Sequence, residues 1–223
     1  MTITLPQPAA DCGLCPRLVA YRDANRAAYP GWHHAPVPSF GGLDARILVV
    51  GLAPGLKGAN RTGRPFTGDY AGDLLYSTLR RFGLATGEYG ADPADGFALV
   101  GCRVTNAARC APPANKVTPE EFRACRPFLA AEIKAMPALA GILCLGRQSH
   151  DQVLATLELR KAAHPFAHGA LHHLAGGLVL VDSYHCSRYN TNTGRLTETM
   201  FHAAVATLLS ALGQSALGQS ALA

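Results

Sequence analysis

The chain has 223 residues, almost half of them hydrophobic, enough for one compact domain with a sizeable core. No uninterrupted apolar run approaches the roughly 18 residues of a membrane span, and the opening MTITLPQPAAD lacks the basic start and apolar centre of a secretion signal, so the expectation is a soluble, cytoplasmic protein. The net charge of +5 rests on 16 arginines against 4 lysines; this bias suits phosphate recognition through the guanidinium fork, but GC-rich coding produces it too, so composition leaves nucleic-acid binding open.

In chain order, Cys15 to Ala27 reads as a helix, followed by the Pro- and His-containing loop Tyr29–Pro38. The apolar run Ala45–Val50 predicts a buried strand. Directly after it comes GLAPGLKGANRTGRPFTGD, Gly51 to Asp69, where Gly51, Pro54, Gly55 and Gly58 let the backbone turn sharply and approach a ligand. Its spacing fits neither the dinucleotide fingerprint nor the Walker loop. Lys57, Arg61 and Arg64 in this loop are expected to meet phosphate or solvent.

Amphipathic segments near Ala71–Phe82, Thr118–Ala135, Arg147–Leu157 and Thr197–Leu212 alternate with further apolar runs at Phe97–Val104, Gly141–Leu145 and Leu178–Val181. This alternation predicts an α/β fold, a three-layer α/β/α sandwich around a central, mostly parallel sheet of four strands. Thr118, Pro119 and Glu121 form a helix start. The histidines at 164, 168, 172 and 173 lie among Pro and Gly in a predicted surface hairpin without nearby carboxylates, which argues against a metal site. A tandem SALGQ tail from Ser210 is expected to fray from residue 213.

Seven cysteines without an export signal point away from disulfides and toward metal binding, catalysis or burial. Cys102 and Cys144 sit in apolar runs and read as core thiols. Cys12, Cys15, Cys110 and Cys125 each lie beside turn residues or at a helix edge, and four thiolates make a full ligand set for zinc or for an iron–sulfur cluster. Their spacing does not distinguish the two.

Polar residues follow each predicted strand: the glycine loop and Asp69, then Asn106, then Gly146 to Gln148, then His185 in SYHCSRYNTNTGR. In a parallel sheet these carboxyl ends converge on one crevice. Asn106 offers an amide suited to the pairing edge of a base, Phe66 a face for stacking, and Asp69 with His185 a carboxylate and imidazole pair for acid–base and electrostatic work. Asp69 also suits the N-cap of the helix that begins near Ala71.

The blocks GLAPGLKGANRTGRPFTGD, VTNAARCAPPANK and YHCSRYNTNTGRLT, together with CGLC, resemble the iron–sulfur uracil-DNA glycosylases, most closely the B-type or family 5 enzymes. Ala53 stands where most uracil-DNA glycosylases carry a water-activating side chain, a mark of the B-type. The usual HPS of the last block is HCS, so Cys186 replaces a proline and should leave that loop less rigid. The resemblance implies one glycosylase domain over 1–223, with residues 1–40 as a cluster-binding helix and loop, and excision of uracil and other deaminated bases such as hypoxanthine from DNA. It favours a structural 4Fe-4S cluster on Cys12, Cys15, Cys110 and Cys125, and main-chain groups near Leu52 and Ala53 lining the base pocket. It further implies that Asp69 and His185 are catalytic and that Arg188, Tyr189, Asn190 and Asn192, in a loop pressed into the groove, contact DNA. A monomer, nucleoid-associated through DNA in a bacterial or archaeal cell, follows.

Two other readings remain open at this level: a non-catalytic iron–sulfur protein that senses damaged or single-stranded DNA, and, more distantly, a nucleotide-dependent enzyme. The paired Asp69 and His185 argue for catalysis.

Overall fold

A computed structural model describes residues 7–213; the predicted fraying of the SALGQ tail from residue 214 onward lies outside the described residues. In chain order the elements are α1 (Pro16–Ala28), β1 (Ile47–Gly51), α2 (Ala59–Thr62), α3 (Tyr70–Arg81), β2 (Ala85–Thr86), β3 (Ala98–Leu99) and β4 (Cys102–Asn106). There follow α4 (Pro119–Lys134), β5 (Gly141–Leu145), α5 (Arg147–Thr156), β6 (Leu171–His173), β7 (Val179–Ser183), α6 (Arg188–Asn192) and α7 (Glu198–Ala211).

The main sheet has the order β4-β1-β5-β7-β6. Its first four strands are parallel and buried on both faces; β1 and β5 are apolar throughout, whereas β4 carries buried Arg103, Thr105 and Asn106 and β7 buried Asp182 and Ser183. Side-chain alternation divides them between two cores. Ile47, Val49, Leu143 and Val181 pack with Leu75 and Leu79 of α3 and with Phe201 and Val205 of α7. Leu48, Val50, Ile142 and Leu180 pack on the other face with Phe122 and Leu129 of α4 and with Val153 and Leu154 of α5. This is the expected three-layer sandwich.

The sheet has five strands rather than four. β6 pairs antiparallel with β7, in the register Leu171↔Val181, and closes one edge. At the other edge Phe40 makes a single antiparallel bridge to Val104 of β4. The predicted strand Phe97–Val104 is also two pieces, because the chain turns at Gly101 (φ 61°); its first part forms a small hairpin with β2.

The hairpin histidines do have a carboxylate beside them: Asp182, on β7 and fully buried, lies against His150 and His172. Thr118 caps α4 as expected, with a reciprocal pair in which Glu121 N donates to Thr118 Oγ1 (3.3 Å) and Thr118 N donates to Glu121 Oε2 (2.8 Å). Glu121 also accepts both donors of the Arg17 fork, each at 2.7 Å, which fastens α1 to α4. Arg103 and Arg109 converge on the fully buried Glu132 of α4 and tie it to β4 and the segment after it. Among the described residues no helix is long and apolar enough to cross a membrane.

Candidate active site

The carboxyl ends of β1 and β4 lie side by side, Gly51 opposite Asn106. Gly51 is a glycine because there is no room for anything else: a Cβ there would meet Asn106 Oδ1 and Phe66 Cζ, both at 2.5 Å. Phe66 and the amide of Asn106 thus close over the strand end. Asn106 is 3% exposed, and its Oδ1 is buried without a hydrogen-bond partner, a cost tolerated where a ligand supplies the missing bond.

Phe66 holds a left-handed backbone (φ 52°), uncommon for a bulky residue and typical of functional sites. The surroundings enforce it. Tyr89 donates to Phe66 O (3.0 Å), the Tyr76 hydroxyl donates to Pro65 O, and a Cβ on Gly72 would strike Phe66 O. Arg64 does not reach out to phosphate or solvent as expected. It is buried, holds Asp95 bidentately at 2.8 and 2.7 Å, and lies over the rings of Phe40, Tyr76 and Tyr89. Its partner is distant in sequence, so Arg64 clamps the loop that carries Phe66. Lys57 and Arg61 are exposed.

A cavity of about 360 Å³ opens at this strand edge. It is lined by Leu52, Ala53, Phe66, Asp69, Asn106 and His185, which converge from four segments, with Arg188 and Ser187 at its side. The His185 ring stacks near Phe66, centroids 5.9 Å apart and planes at 28°. Burial pushes its pKa down to about 4, so at neutral pH it is an uncharged imidazole that can donate one hydrogen bond.

Asp69 occupies the N-cap position of α3 but makes no capping hydrogen bond through its side chain. Its Oδ1 is buried without a partner, while Oδ2 lies so close to Gly58 that a Cβ there would be 2.2 Å away. Burial raises its pKa. Cys186, wholly buried in the core beside this pocket, has its thiol pushed up to about 12 by burial and by the Asp69 charge.

The segment after His185 is not a loop but the single-turn helix α6, capped by Ser187. Arg188 lies over the Tyr70 ring (5.3 Å), Tyr189 is 72% exposed and Asn192 is exposed. Asn190 turns inward and donates to His185 O at 2.8 Å. The pocket also includes Asn115 and Tyr70, which strand-end reasoning does not reach. Consecutive left-handed residues Ala114 (φ 53°) and Asn115 (φ 56°) form a tight turn; the one cue in the sequence was an Asn after two prolines, since Asn tolerates that conformation.

Between α1, the segment after β4 and α4, the residues Cys12, Cys15, Cys110 and Cys125 line one small hollow together with Leu14, Leu18 and Phe128. Burial first, then the neighbouring thiols, raise the pKa of Cys15 to about 11 and of Cys110 to about 12. Such a set favours a positively charged guest that takes the thiolates together. Arg109 N donates to Cys125 Sγ (3.4 Å). The buried Arg22, whose Nε lacks a partner, acts electrostatically on Cys110.

A parallel α/β sheet with a carboxylate, a neutral imidazole, an aromatic shelf and an unpaired amide around one cavity defines an enzyme acting on a planar, hydrogen-bonding ring. Residues 38–209 match the family described as the Uracil DNA glycosylase superfamily, and the chain belongs to that superfamily. It is 49% identical over 200 residues to the type-5 uracil-DNA glycosylase of Thermus thermophilus, covering 87% of this chain and 91% of that protein. To the type-5 uracil-DNA glycosylase of Mycobacterium tuberculosis it is 41% identical over 198 residues, 85% of this chain and 74% of the other. Similarity to the type-4 uracil-DNA glycosylase of Thermotoga maritima is shorter, 39% over 95 residues and 42% of each chain.

Proposed function

We infer that the protein is a monofunctional uracil-DNA glycosylase of base-excision repair, which hydrolyses the bond between base and sugar and leaves an abasic site. The observation that carries this reading is the convergence of Asp69, His185, Phe66 and Asn106 on one cavity, in a chain nearly half identical to a type-5 uracil-DNA glycosylase over most of its length.

A base inside a duplex is out of reach, so the nucleotide must first be extruded, at a cost of a few kcal/mol that is least for a mispaired base. Phe66 then stacks on the base, and the unpaired Asn106 amide meets its pairing edge. As the bond from C1′ to the base breaks, its electron pair leaves with the base and positive charge grows on the sugar. Asp69 holds the water that attacks C1′ and stabilises that charge; neutral His185 donates a hydrogen bond to the carbonyl oxygen that becomes negative. Small Ala53 leaves space in the pocket, which supports turnover of hypoxanthine and similar bases in addition to uracil. Exposed Tyr189 and Asn192, with Arg188, suit contact with the DNA flanking the extruded nucleotide. Asn190 serves the same segment by holding the His185 backbone.

The four cysteines would hold a 4Fe-4S cluster. A single tetrahedral zinc ion needs thiolates about 3.8 Å apart, from bond lengths of about 2.3 Å. The four cysteines line one hollow together, a ligand set that suits either group, and the resemblance to the iron–sulfur uracil-DNA glycosylases supports the cluster. Held by Cys12, Cys15, Cys110 and Cys125, it would supply a crosslink between the start of α1, the segment after Asn106 and α4, and no step of the reaction. The reading takes the chain as one glycosylase domain, with residues 1–40 as its cluster-binding arm, acting as a monomer on cytoplasmic DNA.

The test is a panel of oligonucleotides, each with one altered base, scored for alkali-labile abasic sites under single-turnover conditions. Excision of uracil is expected, with slower excision of hypoxanthine; binding without strand scission on any member would replace the enzyme by a sensor.

A further inference from the structure

We propose that His150, His172 and Asp182 form a second metal site, separate from the cysteines, whose donors fit a divalent zinc ion. Three elements contribute: α5 supplies His150, β6 supplies His172 and β7 supplies Asp182. Their ligand atoms all lie within 4.8 Å of one another.

The hydrogen bonds set the donors in a ligating arrangement. His150 Nε2 lies 2.9 Å from the carbonyl oxygen of His164, which can only accept, so that nitrogen carries the proton. The lone pair on Nδ1 then faces Asp182 Oδ1 at 2.8 Å. A metal-bound histidine is held in this way, with its other N–H given to a carbonyl that fixes tautomer and ring orientation. His172 Nε2 approaches the second oxygen, Asp182 Oδ2, at 3.2 Å. Two imidazole nitrogens and a carboxylate thus point at one another, and each line needs a positive particle along it.

A proton on each line satisfies them one at a time; one divalent cation satisfies them together. Two imidazoles and a carboxylate are a donor set that zinc takes at about 2.0–2.2 Å, which spaces tetrahedral ligands about 3.3 Å apart. The two imidazole–carboxylate distances, 2.8 and 3.2 Å, lie within about half an ångström of that spacing, and the two nitrogens lie within 4.8 Å of each other. His150 and Asp182 are almost wholly buried, and His172, on the edge strand, is the most accessible of the three with 9% of its side chain exposed. The His164 ring lies edge-on to that of His172, centroids 5.6 Å apart.

Bound there, the ion would fasten the antiparallel hairpin to α5, and Asp182 is three residues before His185. The site touches no reacting atom and is therefore structural.

The test uses the iron-loaded full chain, freed of loosely held metal by dialysis and titrated with zinc chloride in a calorimeter. One equivalent should bind, raise the unfolding temperature and release protons, seen as a heat that depends on the ionisation enthalpy of the buffer. His172→Ala, at the most accessible ligand, should weaken zinc uptake by more than about 100-fold, beyond the loss usual for an outer-shell partner, with iron content and uracil excision unchanged. His173→Ala, on the opposite face of the strand, should bind zinc like wild type. X-ray absorption at the zinc edge should detect nitrogen and oxygen neighbours only. No zinc uptake by wild type, sulfur ligation, or equal uptake by His172→Ala would each overturn the site.

Discussion

Asp69→Asn removes a charge and almost no volume. Oδ2 is packed against Gly58, and Oδ1 is buried and unpaired, so the amide keeps the shape of the pocket and loses only the negative field. At about 4 Å and an effective dielectric of about 20, a unit charge opposite a full cation is worth about 4 kcal/mol, which caps the loss near 10³-fold. The sugar carries only part of that charge, so single-turnover excision of uracil should fall by at least about 10²-fold, about 2.7 kcal/mol. Binding to DNA carrying an abasic analogue should survive, since affinity comes mainly from phosphate contacts. Stability should move the other way. Burial raises the Asp69 pKa, so the stability tied to its neutral form is fully present below the ordinary carboxylate pKa and lost as pH rises through the raised value. At pH 7 wild type bears that loss and the variant does not, so Asp69→Asn should unfold at the same or a higher temperature, with the two converging below about pH 4. Near-normal excision by the variant would refute the reasoning, leaving the water to main-chain groups of the glycine loop.

Asn106→Ala should slow excision of uracil and hypoxanthine by unequal factors, because the lost amide meets the two pairing edges differently; equal factors would assign Asn106 to folding or chemistry. Gly51→Ala puts a methyl group 2.5 Å from Phe66 and Asn106, so it should abolish base stacking at a stability cost of about 1–3 kcal/mol, checked by excision assay and thermal unfolding together. Cys125→Ser should lose iron and the broad absorbance near about 400 nm expected of the cluster, and a colourless wild type rich in zinc at the cysteines would contradict the assignment. His185 has its pKa lowered to about 4, so its contribution to stability is present above the ordinary histidine value and declines as pH falls from about 6.5 toward 4. Thermal unfolding from pH 7 to 4 should therefore weaken wild type relative to His185→Asn.

Much of the scaffold was legible because parallel strands buried on both faces are built around continuous apolar runs, as in Ile47–Val50 and Gly141–Leu145. Gly141–Leu145 was bounded to the residue for that reason. The hairpin around Leu171, His172 and His173 was legible, but not its place as a fifth strand of the main sheet, because three residues have neither the length nor the pattern of a sheet strand; pairing with β7 creates it. The run Phe97–Val104 hid two strands because the apolar residues continue across Gly101, and only the backbone turn divides them. Asp69, Asn106 and His185 could be found because each follows a strand whose direction fixes where it ends. Arg64 could not, since nothing local distinguishes a surface arginine from one whose carboxylate partner, Asp95, arrives from a distant loop. Asn115 was equally hidden, as it reaches the pocket from a turn rather than from a strand end.

The two outer ribs of the sheet bear on how the protein behaves when crowded. β7 carries Val179, Leu180 and Val181 in succession, and left bare it would present an apolar ladder of free N–H and C=O groups on which another chain could grow as a fibre. β6 covers that ladder with only three residues, two of them histidines, and at the opposite rib the Phe40 bridge occupies the middle of β4. Neither rib is long or apolar enough to template a neighbour. The short histidine hairpin is in this sense a guard against aggregation, and deleting it would expose a seed for insoluble assembly while leaving every residue of the base pocket in place.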